Sequence, residues 1–204
     1  MNGLPRVTDV LRAVFGPGFQ AGDWYMQRGK AVHACCALLA KGIAFKNDER
    51  ISGQVEACIK FLDAYRPDGM TEQDWILYVE KREEHKVFRY SGQPDLIVQD
   101  ALRRKTVVDY KASLGNIEYL KLQLGGYAEL FNCNWGMGVE LHEDGTFKAT
   151  ELLDLRIPRR DFLSVLRVYR LMELMGRLPK GGEDEQRFGS DGTDTGDKGP
   201  DSQV

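Results

Sequence analysis

The first third of the chain carries apolar residues every three to four positions, a spacing that predicts amphipathic helices. Three such segments cover residues 8–15, 24–41 and 52–65, and a glycine or proline follows each of them within two residues. Gly42, directly after the second segment, is typical of a residue that ends a helix. We therefore expect a helical first third.

The middle of the chain changes to β-branched and aromatic runs bounded by Gly, Pro, Asn and Asp, which predicts strands. These runs cover residues 75–82, 85–90, 92–99 and 105–112, and the first two are expected to pair as a hairpin. A crossover helix, two strands joined by a tight turn, and a last helix that begins at a proline come next. They cover residues 116–131, 136–141, 147–155 and 158–175.

This order of elements predicts an α/β fold in which helices flank a central mixed β-sheet. We expect one domain over residues 1–179, with its core at about 75–155 and a closing helix at 158–177. Residues 180–204 are rich in Gly, Asp, Ser and Thr. Such a composition buries too little apolar surface to fold, so a disordered acidic tail is expected.

Net charge does not identify a partner. The chain of 204 residues has a formal charge of −3, but its tail holds seven acidic and three basic residues, so the rest is close to neutral. No apolar run reaches the length of a membrane span and no signal-peptide pattern is present, so we expect a cytoplasmic protein without a membrane partner. The four cysteines fit neither zinc-site nor disulfide spacing and are expected to be reduced and mostly buried.

Two aspartates lie inside apolar, strand-like runs, where an uncompensated charge is costly. Asp95 directly follows Pro94, and Asp109 shares one strand face with Lys111 because side chains alternate along a strand. A hard divalent cation between the two carboxylates would offset their charge. The structural alternatives are a turn role for Asp95 and a simple ion pair between Asp109 and Lys111.

Four further polar residues are candidates for the same site. His33 shares a helix face with Gly29, and its imidazole suits either a cation site or a structural role. Gln123 and Tyr127 are four residues apart on the crossover helix, so they face the same way. Glu80, inside an apolar strand, is either a third carboxylate of the site or the solvent side of a hairpin.

Taken together, these residues resemble the motifs of the PD-(D/E)XK nuclease superfamily, in particular its RecB-like exonuclease branch from phages and bacteria. The motifs are Gly-x-x-x-His, Gly-x-x-Asp, hydrophobic-Asp-x-Lys and Gln-x-x-x-Tyr, and they stand in the family's order. They cover residues 29–33, 92–95, 108–111 and 123–127. Asp109 stands where many relatives carry Glu, and the family accepts either acid.

The resemblance implies a restriction-endonuclease-like core and hydrolysis of phosphodiester bonds in DNA with Mg²⁺ or Mn²⁺. The metal ligands that it implies are His33, Asp95, Asp109 and the backbone carbonyl of Tyr110, with Glu80 as a further candidate. The catalytic residues that it implies are Asp95, Asp109 and Lys111, while Gln123 and Tyr127 would contact DNA or order the site. Some relatives carry an iron–sulfur cluster on four cysteines, a pattern that this chain does not match, so no cluster is expected.

Three functions are compatible with the sequence. The leading hypothesis is a metal-dependent exonuclease in phage or bacterial DNA replication, recombination or repair, with DNA and a recombination or replication protein as partners. A structure-specific or restriction-type endonuclease could use the same core. A catalytically inactive DNA-binding or assembly module is the third hypothesis.

Overall fold

The computed structural model describes residues 3–16 and 23–179 of the chain, so the predicted disordered tail lies outside the described residues. The helices are α1 (Val7–Phe15), α2 (Asp23–Ala40), α3 (Ser52–Tyr65), α4 (Glu72–Trp75), α5 (Ile117–Phe131) and α6 (Arg156–Leu174). The strands are β1 (Ile76–Val79), β2 (Glu83–Glu84), β3 (Ser91–Gly92), β4 (Leu96–Gln99), β5 (Lys105–Lys111), β6 (Trp135–Leu141), β7 (Phe147–Ala149) and β8 (Leu153–Asp154).

Six of the strands form a mixed sheet, which confirms the predicted fold class. Its strand order is β1-β4-β5-β6-β7, and β8 pairs with β6 beside β7. The central strands β5 and β6 are parallel because α5 crosses over between them, and the other pairs in the sheet are antiparallel. Strands β2 and β3 form a separate two-stranded ribbon.

Helices cover both faces of this sheet. Helices α2 and α3 pack on one face against side chains that include Val108 and Tyr110, whereas α1, α5 and α6 pack on the other face against Val107. Because alternate residues of a strand point to opposite faces, Asp109 and Lys111 lie on the α5 side, as the alternation in the sequence predicted. The division into one domain over residues 1–179 stays a prediction.

The predicted hairpin of residues 75–82 and 85–90 is wrong. Thr71 and Asp74 form a capping box that makes the chain helical up to Trp75, so the strand begins one residue later. The ring nitrogen Nδ1 of His85 accepts hydrogen bonds from two backbone N–H groups that follow it, which holds residues 85–90 in a turn. The pairing that forms is the short one between β2 and β3 on either side of this turn.

Three further boundaries differ from the predicted ones. The predicted strand 92–99 is interrupted between β3 and β4, where Pro94 lacks the N–H group that a ladder needs. The predicted strand 147–155 is likewise two strands, β7 and β8. The last helix begins at Arg156, whose backbone N–H donates to the carboxylate of Asp154, so Pro158 lies inside the first turn, where a proline is tolerated.

Two adjacent glycines in α5 allow α6 to pack closely. A Cβ atom on Gly125 would overlap the backbone carbonyl of Pro158, and one on Gly126 would lie 3.0 Å from the ring of Phe162. The Gly-Gly pair therefore serves helix packing rather than phosphate binding. Among the described residues, none of the helices combines the length and the apolar character that crossing a membrane requires.

Candidate active site

The antiparallel pair β4–β5 brings the two candidate aspartates together. Leu96 pairs with Val108, and continuing this register by one residue places Asp95 opposite Asp109. The Oδ2 atom of Asp95 accepts a hydrogen bond of 2.6 Å from the backbone N–H of Tyr110. The carboxylate of Asp95 is therefore held against the carboxyl end of β5, and the turn role considered for it does not describe its contacts.

Asp109 is buried and incompletely paired. Its Oδ2 atom has one partner among the described residues, the ammonium of Lys111, whose Nζ lies 2.5 Å away. Burial, together with the charge of Asp95, raises the pKa of Asp109 above its ordinary value, although the ammonium of Lys111 opposes this shift. Burying such a carboxylate costs folding energy unless another group satisfies it.

Lys111 is held between the sheet and α5. Besides its ion pair with Asp109, its Nζ donates a hydrogen bond of 2.8 Å to Oε1 of Gln123. Nε2 of Gln123 in turn donates to the hydroxyl of Tyr127 at 3.1 Å. Burial lowers the pKa of Lys111, but the charge of Asp109 outweighs this effect and raises the pKa above its ordinary value. The ion pair between Asp109 and Lys111 is therefore present, and it continues through hydrogen bonds to Gln123 and Tyr127.

Gly92 makes room for Tyr127, the last residue in the series of hydrogen bonds that begins at Lys111. A Cβ atom on Gly92 would lie 2.8 Å from Cδ1 of Tyr127 and 2.7 Å from Cδ1 of Leu130. Glycine at this position therefore lets the ring of Tyr127 pack directly on the β3 backbone. Burial raises the pKa of Tyr127 well above its ordinary value, so its hydroxyl stays protonated.

His33 reaches the site from the opposite face of the sheet. Its Nδ1 lies 2.7 Å from Oδ1 of Asp95, so both oxygens of that carboxylate have partners. Burial lowers the pKa of His33, but its hydrogen bond to Asp95 and the charge of Asp95 raise the pKa above its ordinary value overall. Binding of a metal by this imidazole would therefore fall to Nε2.

Two of the sequence candidates contact Asp95 through their backbone N–H groups and not through their side chains. Glu80 lies just past the end of β1 with a positive φ of 48°, and its backbone N–H donates to the carbonyl of Asp95. Among the described residues, its carboxylate has no hydrogen bond or ion pair, so its role as a ligand stays a prediction. The side chain of Tyr110 points away from Asp109, where its hydroxyl accepts a hydrogen bond from Sγ of Cys58.

A cleft of about 640 Å³ leads from the surface to this cluster. His33, Tyr110 and Lys111 lie at its inner end, and Tyr25, Arg28 and Gly29 of α2 form one wall. Arg28 is fixed by an ion pair with Glu143 in the β6–β7 turn. Gly53 lets this turn approach α3, because a Cβ atom there would overlap the backbone of Glu143.

Tyr25 and Arg28 in the cleft wall are not among the residues that the sequence motifs indicate. The sequence contains no regular run of aromatic residues that would indicate a stacking surface. A usable signal existed, because Tyr25, Gly29 and His33 recur every four residues and therefore lie along one side of α2. That spacing does not indicate that Tyr25 is exposed or that Arg28 pairs with Glu143, which is far away in sequence.

The residues present fit a hard divalent cation of the magnesium type. Within residues 3–16 and 23–179, no three His, Cys, Asp or Glu side chains form a group that could hold a metal ion by themselves. Mg²⁺, however, is usually bound by one or two carboxylates together with water and substrate phosphate oxygens. Asp95 and Asp109, which lie opposite each other beside Lys111, provide those carboxylates.

Exonucleases are among the solved structures that the chain resembles. An alkaline exonuclease from Laribacter hongkongensis, LHK-Exo, has a TM-score of 0.46 at 13% identity, with 85% of this chain and 89% of that chain covered. The same enzyme in complex with dAMP has a TM-score of 0.45 at 11% identity, with 85% and 89% covered. A phage-related exonuclease from Haemophilus somnus 129PT has a TM-score of 0.40 at 14% identity, with 84% and 96% covered.

Comparison by sequence adds no relative. No protein-family model matches the chain, and no curated protein matches it.

Proposed function

We propose that this protein is a divalent-metal-dependent nuclease that hydrolyses phosphodiester bonds in DNA, and that it acts as an exonuclease. The observation that carries the proposal is the placement of two carboxylates, Asp95 and Asp109, opposite each other beside Lys111, with Lys111 as the one partner of the buried Asp109 among the described residues. A fold that keeps a buried carboxylate with so few partners, next to the cleft residues His33 and Lys111, is suited to binding a cation there.

Each residue of the cluster has a definite part in this proposal. Asp95 and Asp109 would hold Mg²⁺ or Mn²⁺, with the backbone carbonyl of Tyr110 and Nε2 of His33 as additional ligands. When bound, such an ion supplies Lewis-acid chemistry toward a phosphate oxygen and an attacking water. Asp95 is oriented by its two hydrogen bonds, which come from the Tyr110 backbone and from the His33 ring.

Lys111 is the residue that acts on the phosphate itself. Its side chain keeps 27% of its surface exposed, so the ammonium can reach a group in the cleft. A fixed positive charge stabilises the negative charge that develops on a phosphate during hydrolysis. Gln123 holds Nζ in place by accepting its hydrogen bond, and Tyr127 holds Gln123 in turn.

The choice of an exonuclease follows the four motifs, which resemble the RecB-like branch. That resemblance also suggests a place in phage or bacterial DNA replication, recombination or repair, together with a partner protein of that process. An endonuclease with the same core would cut DNA without requiring an end.

End-labelled linear DNA and covalently closed circular DNA test the proposal together. With Mn²⁺ or Mg²⁺, the protein should degrade the linear form progressively, leave the closed circle intact, and stop on addition of EDTA. Separate 5′ and 3′ labels give the direction of degradation. Cleavage of the closed circle would replace the exonuclease with an endonuclease. Intact DNA in every form, with an Asp109→Asn variant as the inactive reference, would overturn the proposal.

A further inference from the structure

We propose that Tyr25 and Arg28 form a base-stacking subsite at the outer end of the cleft, so that the enzyme takes a strand whose bases there are unpaired. This inference rests on the proposed nuclease function and extends it to the form of the substrate. It names two residues beyond the four motifs, both on α2 and both in the wall of the cleft.

Tyr25 presents an aromatic ring to the cleft. The residue is 59% exposed, and the contact that the described residues provide for its ring is the guanidinium of Arg28, 5.3 Å from the ring centroid. An aromatic ring exposed beside a cationic plane is the usual platform for a nucleobase. The ring therefore contributes little to the core and is open to a ligand in the cleft.

Arg28 is held in place before any strand enters. Its guanidinium forms an ion pair with Glu143, whose turn is packed on α3 through Gly53. An arginine fixed in this way loses little conformational freedom when a base or a phosphate meets it. Its guanidinium therefore lies beside the Tyr25 ring without any bound ligand.

The position of Tyr25 matches a strand that runs toward the metal site. Tyr25 and His33 are eight residues apart on α2, a separation of about 12 Å at about 1.5 Å per residue. A stacked strand covers that length in about three to four nucleotides, at about 3.4 Å each. Gly29, between them, leaves the wall open, because a Cβ atom there would meet no described atom within 4 Å.

A duplex cannot use this subsite without opening, because its bases are paired and stacked on one another. An unpaired strand, or a frayed end, offers a free base face at no such cost. The subsite therefore predicts that single-stranded or frayed DNA is preferred over blunt duplex DNA.

Trp24 provides a matched control for the test. It precedes Tyr25 on the same helix, is 50% exposed, and has the guanidinium of Arg50 5.5 Å from its ring, but it does not line the cleft. Replacing Trp24 with Ala removes an equivalent exposed aromatic ring. Because neither ring is in the core, both variants are expected to keep the melting temperature of the parent.

Kinetics on two substrates tests the subsite in the full-length protein with Mn²⁺. The substrates are single-stranded DNA and thymidine 5′-(p-nitrophenyl phosphate), which has no neighbouring base. Tyr25→Ala should lower the ratio of kcat/KM on DNA to kcat/KM on the ester about 5- to 150-fold, mainly through KM. That range converts a stacking energy of about 1–3 kcal/mol per base at about 1.4 kcal/mol per tenfold change. Tyr25→Phe should restore the ratio, and Trp24→Ala should leave it unchanged.

Each outcome has a definite consequence. An unchanged ratio in Tyr25→Ala, with the ester still hydrolysed, overturns the subsite and leaves the nuclease proposal intact. An equal loss in Trp24→Ala also overturns the subsite, because a general surface effect then explains the change. If the parent protein hydrolyses neither substrate, the nuclease proposal fails and the subsite fails with it. Quenching of 2-aminopurine in a single strand by the parent but not by Tyr25→Ala supports stacking directly.

Discussion

Two partly buried polar clusters of this molecule differ in how completely their groups are paired. Between α5 and α6, the carboxylate of Glu129 accepts a hydrogen bond of 2.8 Å from Nε of Arg159 and has the ring of His85 at 3.7 Å. Nη1 of Arg159 also donates to the carbonyl of Cys133 and to the side chain of Asn134. At the end of β5, by contrast, the buried carboxylate of Asp109 has Lys111 as its one partner among the described residues.

This difference in pairing distinguishes a structural network around Glu129 from a candidate binding site around Asp109. A paired network stabilises the packing of the elements that it joins, and removing one member leaves the others unsatisfied. A buried carboxylate with a single partner lowers stability and persists where a bound ligand completes its contacts. The Glu129 cluster should therefore control stability, and the Asp109 cluster should control activity.

The largest expected effect is the loss of activity in Lys111→Met. Removing the ammonium that faces the phosphate should lower kcat about 10²- to 10³-fold, the usual cost of one charge-stabilising donor. Nuclease assays with Mn²⁺ measure this loss. Lys105→Met, at the other end of the same strand, is the control and should keep its activity. Comparable activity in both variants would contradict the assignment of Lys111.

The next effect is a loss of stability in Arg159→Met. Breaking this pair should lower the free energy of unfolding by about 2–3 kcal/mol, less than for a fully buried pair because about a fifth of each side chain is exposed. Urea denaturation measures it, and Arg66→Met, which removes an exposed ion pair with Asp63, should cost under about 1 kcal/mol. Activity per folded molecule should not change. A variant that is stable but inactive would reverse the comparison between the two clusters.

A similar but smaller loss is expected at the helix crossing beside Glu129. Gly125→Ala should lower the free energy of unfolding by about 1–3 kcal/mol, because its methyl group overlaps the backbone of Pro158. Gly29→Ala, also inside a helix but with open space at its Cβ, should raise it by about 0.5–1 kcal/mol. Thermal or urea unfolding distinguishes the two signs. Equal effects would show that α5 and α6 do not need this close contact.

The smallest effect is a gain of stability in Asp109→Asn, measured in EDTA. Because the pKa of Asp109 is raised, the fold disfavours its charged form, and the neutral amide avoids that cost. The unfolded carboxyl titrates near pH 3.9, so the penalty on the parent is absent below that pH and grows as the pH rises toward the folded pKa. The melting temperature of Asp109→Asn should therefore exceed that of the parent by an amount that increases from pH 4 to 8. A constant difference would contradict a raised pKa.

Much of the site could be predicted because its residues belong to regular elements. The alternation in β5 placed Asp109 and Lys111 on one face, and the four-residue spacing in α5 placed Gln123 and Tyr127 together. The contact between His33 and Asp95 joins residues 62 positions apart, so only the ordered motifs indicated it.

The predictions that were wrong or incomplete concern residues whose side-chain interactions or packing outweigh the local hydrophobic pattern. Trp75 reads as part of a strand, but the cap at Thr71 makes it the last residue of a helix. His85 reads as the start of a strand, but its ring folds the following backbone into a turn. Tyr25 reads as an ordinary helix residue, and only the packing of the other elements leaves it facing a cleft.

The position of Tyr110 between Asp109 and Lys111 disfavours a change of register in β5, the strand that carries the candidate site. Tyr110 points into the layer of α2 and α3, where its ring packs edge-on against Phe61. A slip of β5 by one residue would push both charged side chains into that apolar layer and turn the tyrosine toward α5. Misfolded copies of this strand would thus be unstable as well as inactive, and molecules that reach a stable state would carry a correctly assembled site.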